Sequence, residues 1–228
     1  MRVTELWRYP VKSFLGERLD EAFFDVGGTP FDRSWAVWLP GRKRPLSAKR
    51  EPLLFEGRSR IVDERDVVVT LPTGVEAVAG DPVLEGALTE WLGYQATLGP
   101  APDGHVFDDS PVHILTTSSL AAMRTVHPSG EWDPRRFRPS IVIDGADDGF
   151  PEEEWLGGRV AVGAASFEVT HPCTRCTMVG LAQSDLHDDL AILEQVMAHN
   201  DEVLGVYAKV SEPDRVRVGD EVHIVGAV

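Results

Sequence analysis

The only two cysteines of the chain, Cys173 and Cys176, lie in the segment His171-Pro172-Cys173-Thr174-Arg175-Cys176. Thiolates suit soft or high-valent metal centres and redox chemistry. Arg175 is next to Cys176 in sequence, and its cation is expected to favour that thiolate. Spacing alone leaves several readings open. A zinc site needs about four ligands. His171, Cys173 and Cys176 offer only part of that set, and His187 or His199 would have to complete it without a matching motif. A thioredoxin-like Cys-x-x-Cys belongs between a strand and a helix in a βαβ unit. Two buried, inert cysteines are an equally open alternative.

Charge narrows the partner. The 228 residues carry 22 Lys and Arg against 37 Asp and Glu, a formal net charge of −15. Nucleic-acid binders present a basic surface, so that class is not expected. Within residues 1–60, however, 12 basic residues outnumber 8 acidic ones. An acidic protein that gathers its cations can use them on a small anion. The triplet Arg42, Lys43, Arg44 reads more simply as a solvated loop. Length and a hydrophobic content of 43% allow one large domain or two small ones with real cores. No apolar run reaches membrane-spanning length, and the opening residues lack the apolar stretch of a secretory signal. The expectation is a cytoplasmic protein with no membrane partner. In such a reducing compartment, two close cysteines point to metal or redox chemistry more than to a disulfide.

The elements that must position these residues are mostly strands. Stretches 3–9, 19–26, 35–39, 53–62 and 67–71 are rich in β-branched and aromatic residues, with Gly, Pro and Asp between them. Asp81 and Pro82 open a helix whose apolar face runs through Val83, Leu84, Ala87, Leu88, Trp91 and Leu92, and Gly93 ends it. Residues 100–109 read as a connection. Strands are expected at 112–116, 141–143, 159–162, 166–170, 204–210 and 216–225, the last broken by a turn at Gly219-Asp220. Ser118 or Ser119 can cap a short helix over 120–126. A longer helix is expected over 185–200, with Leu186, Leu190, Leu193, Val196 and Met197 on one side. The cysteine segment then leaves a strand and enters a polar turn. The pattern is mainly β with a few helices, which suggests barrels or sandwiches.

Seven segments, in order, carry a family resemblance. They are Tyr9-Pro10-Val11-Lys12-Ser13, Asp32-Arg33-Ser34-Trp35, Ala48-Lys49-Arg50-Glu51-Pro52, Ser110-Pro111 with Ser119-Leu120, Arg136-Phe137-Arg138-Pro139, Cys173-Thr174-Arg175-Cys176 and Val216-Arg217-Val218-Gly219-Asp220. On these residues the chain resembles the MOSC superfamily over nearly its whole length. Within it, the chain is similar to two-part proteins such as the mitochondrial amidoxime-reducing component and its bacterial relatives. The resemblance implies an α+β fold that is mainly β. An N-terminal β-rich domain over 1–100 would pack on a C-terminal MOSC β-barrel domain over 101–228.

It also implies a cofactor, Mo-molybdopterin, an anionic pterin with a phosphate. Cys176 matches the cysteine that coordinates the metal. Lys12, Ser13, Arg33, Lys49, Arg138, Ser140, Thr174 and Arg175 match positions expected to hold the pterin and phosphate, a task that suits Arg and hydroxyl donors. Asp108 matches an aspartate near the metal and would relay a proton. Each position has a plainer alternative: solvated Lys12 and Lys49, an ion-paired Arg138, a loop-capping Asp108. The implied activity is a molybdenum-dependent oxidoreductase that reduces N-hydroxylated or N-oxide compounds. The alternative is a cofactor or sulfur carrier without turnover. Pyridoxal phosphate is not expected.

Three departures stand out. Ser140 replaces the usual Asn. Cys176-Thr177-Met178-Val179-Gly180 lacks the D-P-x-T-G found in many relatives. The Cys-rich ferredoxin tail of some bacterial relatives is missing, so electrons are expected from a separate ferredoxin or flavin reductase.

Overall fold

A computed structural model describes residues 1–227. In chain order the elements are β1 (Arg2–Arg8), β2 (Glu17–Leu19), β3 (Glu21–Phe24), β4 (Trp35–Trp38), β5 (Arg58–Val62), β6 (Asp66–Thr70), β7 (Glu76–Val78), α1 (Val83–Leu92) and β8 (Thr97–Pro100). They continue with β9 (Val112–Thr116), α2 (Thr117–Val126), β10 (Ile141–Asp144), β11 (Gly158–Val162), β12 (Ala165–Thr174), α3 (Ala191–Asn200), β13 (Val203–Glu212), β14 (Asp214–Arg217) and β15 (Val222–Ala227). Among the described residues, no helix is long and apolar enough to cross a membrane.

The main sheet has the order β15-β11-β12-β13-β9-β10-β1-β2, and β14 pairs with β3. Val3 N donates to Asp220 O, and Val222 N donates to Met1 O, both at 3.0 Å. These bonds tie the start of β1 to the turn before β15, so the sheet curls back on itself around its apolar face. Val3, Leu6, Ile114, Ile141, Val160, Phe167 and Val206 fill that interior. The alternation expected of a half-buried strand is plain in β11. In β9 every residue is buried. Its second face is covered because Leu115 joins Leu120, Met123, Ile192 and Val196 of α2 and α3 in a separate core.

A third core belongs to the stretch between β3 and β9. The β4–β8 pair, the β5-β6-β7 sheet and α1 enclose Val37, Leu54, Phe55, Val69, Leu84 and Leu88. The hydrogen-bonded sheets therefore cut across sequence order. Strands β1 and β3 pair with strands from the second half of the chain.

Among the described residues the fold is mainly β with three α-helices, as the sequence pattern and the resemblance imply. Details differ for identifiable reasons. The stretch 53–62 is a 3-10 turn, Pro52–Glu56, followed by β5, because Pro52 favours a helical first turn. The stretch 19–26 splits at Asp20 into β2 and β3. Two short strands, β7 and β8, escape the pattern. Helix α2 starts earlier than expected and is capped by Thr116, whose hydroxyl oxygen accepts from Ser119 N at 3.1 Å. Helix α3 spans only Ala191–Asn200; Asp189 Oδ1 accepts from Ala191 N at its start. Its buried face is Ile192 and Val196, while Leu190 and Met197 are exposed. Strand β12 runs on to Thr174, so Cys173 lies on a strand and only Cys176 lies beyond it.

One buried polar knot holds α2 to the barrel. Glu152, with no exposed surface, accepts from Thr116 Oγ1 and Ser119 Oγ, both at 2.7 Å. Burial raises its pKa above the ordinary carboxylate value, although the hydroxyl donors oppose the shift. A carboxyl with a raised folded pKa contributes its full stability below the unfolded value, about 4.3. That contribution is lost as pH rises through the folded pKa. Thermal melts from pH 4 to 7 are therefore expected to show Glu152→Gln gaining on the parent as pH rises. A constant difference between the two would show that Glu152 titrates as it does in the unfolded chain.

Candidate functional site

The cysteine segment is delivered by the longest pairing in the fold, β12 against β13, whose register shifts between Val169 and His171 and again between Pro172 and Thr174. Pro172 lacks an N–H, and a bulge is where a sheet interior tolerates it. The shift leaves Cys173 buried at 1% exposure and Cys176 half-buried. Cys176 immediately precedes the 3-10 turn Thr177–Gly180.

The second wall comes from the turn Pro134–Phe137. Arg138 ends it in the left-handed region, with φ at 54°. That conformation turns its side chain inward to 9% exposure. Its Nη1 donates to Phe14 O at 2.8 Å, and its guanidinium lies 4.0 Å from the centre of the Tyr9 ring. The third wall comes from the loops around β4. Arg33, also left-handed at φ 51°, sits over Tyr9 and Phe107 and pairs with Asp32. Asp32 in turn accepts from Tyr9 N at 2.7 Å, which fixes the whole corner.

These walls enclose a cavity of about 290 Å³. Of the residues singled out from sequence, Arg33, Lys49, Asp108, Arg138, Ser140, Thr174, Arg175 and Cys176 line it. Lys12 and Ser13 stand behind the wall. Lys12 Nζ donates to Asp108 Oδ1 at 2.5 Å and to Val106 O at 3.0 Å. Ser13 Oγ accepts from Ala48 N at 3.0 Å. The exposed triplet Arg42, Lys43, Arg44 lies outside the cavity, as the plainer reading has it.

Several expectations need correction. Arg175 does not serve Cys176; its Nη1 points to Cys173 Sγ at 2.6 Å and its Nη2 donates to Phe137 O at 2.8 Å. Its side chain folds back along β12 because the Phe137 ring and carbonyl are there to receive it. Arg138 is not an ion-paired structural residue, since its described bond goes to a carbonyl. Lys12 is buried and paired, while Lys49 is exposed. Ser140 Oγ accepts from His113 N at 3.2 Å, so its hydroxyl also stitches β9 to β10. Among the described residues no three of His, Cys, Asp and Glu form a group that could hold a metal by themselves. The zinc alternative therefore lacks a ligand set.

Arg136, quoted in a motif but given no role, Tyr207 and His113 also line the cavity. Arg136 is 1% exposed, and Glu131 O, Glu131 Oε2, Leu181 O and His187 O take up its guanidinium, which clamps the wall. Tyr207 rests beside His113 and His171. His113 is a polar residue within the apolar run Val112 to Leu115 of β9, and that misfit was its one signal in the sequence. Gly205, at φ +84°, is where β13 passes His113; a Cβ there would strike the imidazole and the Ile114 carbonyl.

The electrostatics suit an anion. Burial, then Arg33, pulls Arg138 down to about 10, so it stays cationic at neutral pH. Burial, then Arg175, pulls His113 down to about 3, so its ring is neutral. Burial lowers Lys12 as well, against the pull of Asp108. Desolvation works to raise Asp108, but Lys12, Arg33 and Arg138 together hold it below the usual carboxylate range. Asp108 is therefore ionised at neutral pH while its pair with Lys12 is intact. Arg138 Nη2, Arg175 Nε and His113 Nε2 are buried on this wall without a hydrogen-bond partner. Buried polar groups usually have partners, so these three fit the oxygen and nitrogen acceptors of an anionic heterocycle, with the Cys176 thiol beside them. The donor set fits a phosphorylated, thiolate-ligated metal cofactor.

Calorimetry with inorganic phosphate tests the anion site. Arg175→Gln is expected to weaken binding roughly tenfold, in line with about 1.5 kcal/mol for a charge-assisted bond. Asp108→Asn is expected to tighten it by removing a carboxylate from the wall. Equal affinity in all three proteins would contradict the assignment.

Comparison with known proteins agrees with this geometry. The MOSC domain description matches residues 101–223, and the MOSC N-terminal beta barrel domain matches residues 1–86. Mitochondrial amidoxime-reducing component 1 of Mus musculus is 27% identical over 132 residues, 52% of this chain and 38% of that protein. The match thus spans well under half the mouse protein. The solved structure of the YuaD protein from Bacillus subtilis superposes with a TM-score of 0.55 over 97% of this chain and 93% of that one, at 16% identity. That likeness concerns the fold. MOSC domains are associated with molybdenum cofactor binding, and the chain belongs to the MOSC domain family.

Proposed function

We propose that the chain binds molybdenum cofactor between β12 and the Arg33 and Arg138 walls, and that it reduces small N-hydroxylated or N-oxide compounds. The observation that carries the reading is the pairing of a half-buried Cys176 with the unpartnered buried nitrogens of Arg138 and Arg175 on one cavity. Cys176 would hold the metal; Arg33, Lys49, Arg138, Thr174 and Arg175 would hold the pterin and phosphate. When bound, the group supplies two-electron redox chemistry. The protein's own part is to orient that group, exclude water and manage protons. The nearest proton store is the Lys12–Asp108 pair, in which Lys12 holds the proton and the Asp108 carboxylate faces the cavity. Asp108 can hand a proton on only after taking one from Lys12 or from solvent.

The electron donor in this reading is a separate protein, a ferredoxin or a flavin reductase. The carrier alternative has one observation in its favour. The cavity is near the lower end of ligand pockets, roughly 300–1,000 Å³, and Met178 stands on its wall where many relatives carry a different segment. A carrier needs no room for substrate.

One measurement tests cofactor binding, and a second separates enzyme from carrier. Protein from a molybdenum-replete host is expected to contain molybdenum and release oxidised pterin on denaturation. Cys176→Ala should lose the metal, while folded Cys173→Ala keeps it. Equal loss in both folded variants would count against a single metal thiolate. Loaded protein with reduced viologen is expected to reduce an amidoxime, and Asp108→Asn to slow turnover more than it lowers molybdenum content. Transfer of cofactor to an apo-molybdoenzyme without any turnover would leave the carrier reading in place.

A further inference from the structure

A second cavity, of about 400 Å³, lies on the other side of Arg138, which is the one residue common to both cavities. Its apolar wall is Trp7, Tyr9, Leu15 and Leu186. The rings of Trp7 and Tyr9 are nearly parallel, at 16°, with centres 6.4 Å apart. The Trp7 indole N–H is already spent on Glu5 Oε2 at 2.7 Å, so this wall presents ring surface.

The polar wall is incompletely paired. Gln183 and Tyr9 are each 2% exposed and Arg138 9%. Gln183 Nε2, Tyr9 Oη and Arg138 Nη2 all lack a hydrogen-bond partner. Each such buried group is costly unless a partner arrives. The charges around them lean one way. Arg58, Arg135 and Arg138 line the cavity against a single acid, Asp185. Asp185 is taken up by Arg135, at 2.8 and 3.2 Å, and Asp133 holds Arg135 as well, so the cations without a described ion pair are Arg58 and Arg138. Three donors and a surplus of cations beside stacked rings call for acceptor oxygens on a flat apolar body.

We propose that this second cavity binds a small aryl carboxylate, with its ring against Trp7, Tyr9 and Leu186 and its carboxylate on Arg138 and Gln183. The proposal goes beyond the cofactor reading and shares only Arg138 with it, whose Nη2 has two N–H groups to give. Inorganic phosphate would satisfy the donors but leave the apolar wall wet. A neutral amide would cover the wall but bring one acceptor in place of two and no charge for Arg138.

The test is an NMR and calorimetric titration of the metal-free protein with sodium benzoate, with benzamide and inorganic phosphate as comparison probes. Benzoate is expected to shift the Gln183 side-chain amide signal saturably and to bind at least tenfold tighter than either comparison probe. Gln183→Leu is expected to weaken benzoate roughly tenfold without lowering the melting temperature, because it removes an unpartnered buried amide. Tyr9→Phe, which keeps the ring, gives a second and independent loss. Arg175→Gln, which alters only the first cavity, is expected to leave the benzoate affinity unchanged. Benzoate binding that leaves the Gln183 signal unmoved, or phosphate or benzamide binding as tightly, would overturn the proposal. So would complete loss of benzoate binding in molybdenum-loaded protein, since one ligand would then fill both cavities.

Discussion

Burying a guanidinium without a carboxylate is costly, and Arg138 is buried in that way at the junction of the β-barrel and the N-terminal layer. Its Nη1 reaches across to Phe14 of the other core, and Tyr9 and Phe55 flank its plane. Aromatic faces offset part of the desolvation through the ring quadrupole. They leave Nη2 without an acceptor. A group this awkward is tolerated where surrounding structure over-determines it, as happens at ligand sites. The left-handed backbone at Arg138 and at Arg33 brings two such corners together around Tyr9.

The barrel makes that arrangement rigid. Strand β1 pairs with β10, and its continuation carries Tyr9 to Ser13 directly into the third core, where Lys12 N donates to Trp35 O at 2.8 Å. On the opposite side β12 carries Cys173 and Thr174 from the barrel wall to the same place. The site is thus held by two strand ends anchored in packed cores, with loops supplying Arg33, Lys49 and Asp108. Strand ends place side chains more exactly than free loops do. An overall charge of −15 surrounds this small electropositive hollow. A long-range field of that sign repels anions, so affinity must come from contacts inside the cavity and not from steering.

Much of this was legible in residue types and order. The apolar stripe of α1, with Asp81 before it and Gly93 after it, specified its own helix. The family resemblance singled out eight of the residues that line the cavity. What the sequence hid was partnership. Adjacency suggested that Arg175 serves Cys176, yet side chains that neighbour each other along an extended chain point to opposite faces, and Arg175 turned to Cys173. Leu190 and Met197 looked like core at helical spacing, but Leu190 lies before α3 starts and the helix buries Ile192 and Val196 instead. His113 and Gln183 gave little signal because unpartnered burial is a property of three-dimensional packing.

The central claim is that one protein thiolate, Cys176, completes the coordination of a cofactor-borne molybdenum. X-ray absorption at the molybdenum edge tests it most directly, on protein loaded in a cofactor-competent host. A pterin dithiolene with one cysteine should give about three sulfur neighbours. That count should persist in Cys173→Ser, whose altered side chain faces Arg175 and not the metal. A count that falls by one in Cys173→Ser, or a loaded protein whose only metal is zinc, would contradict the account.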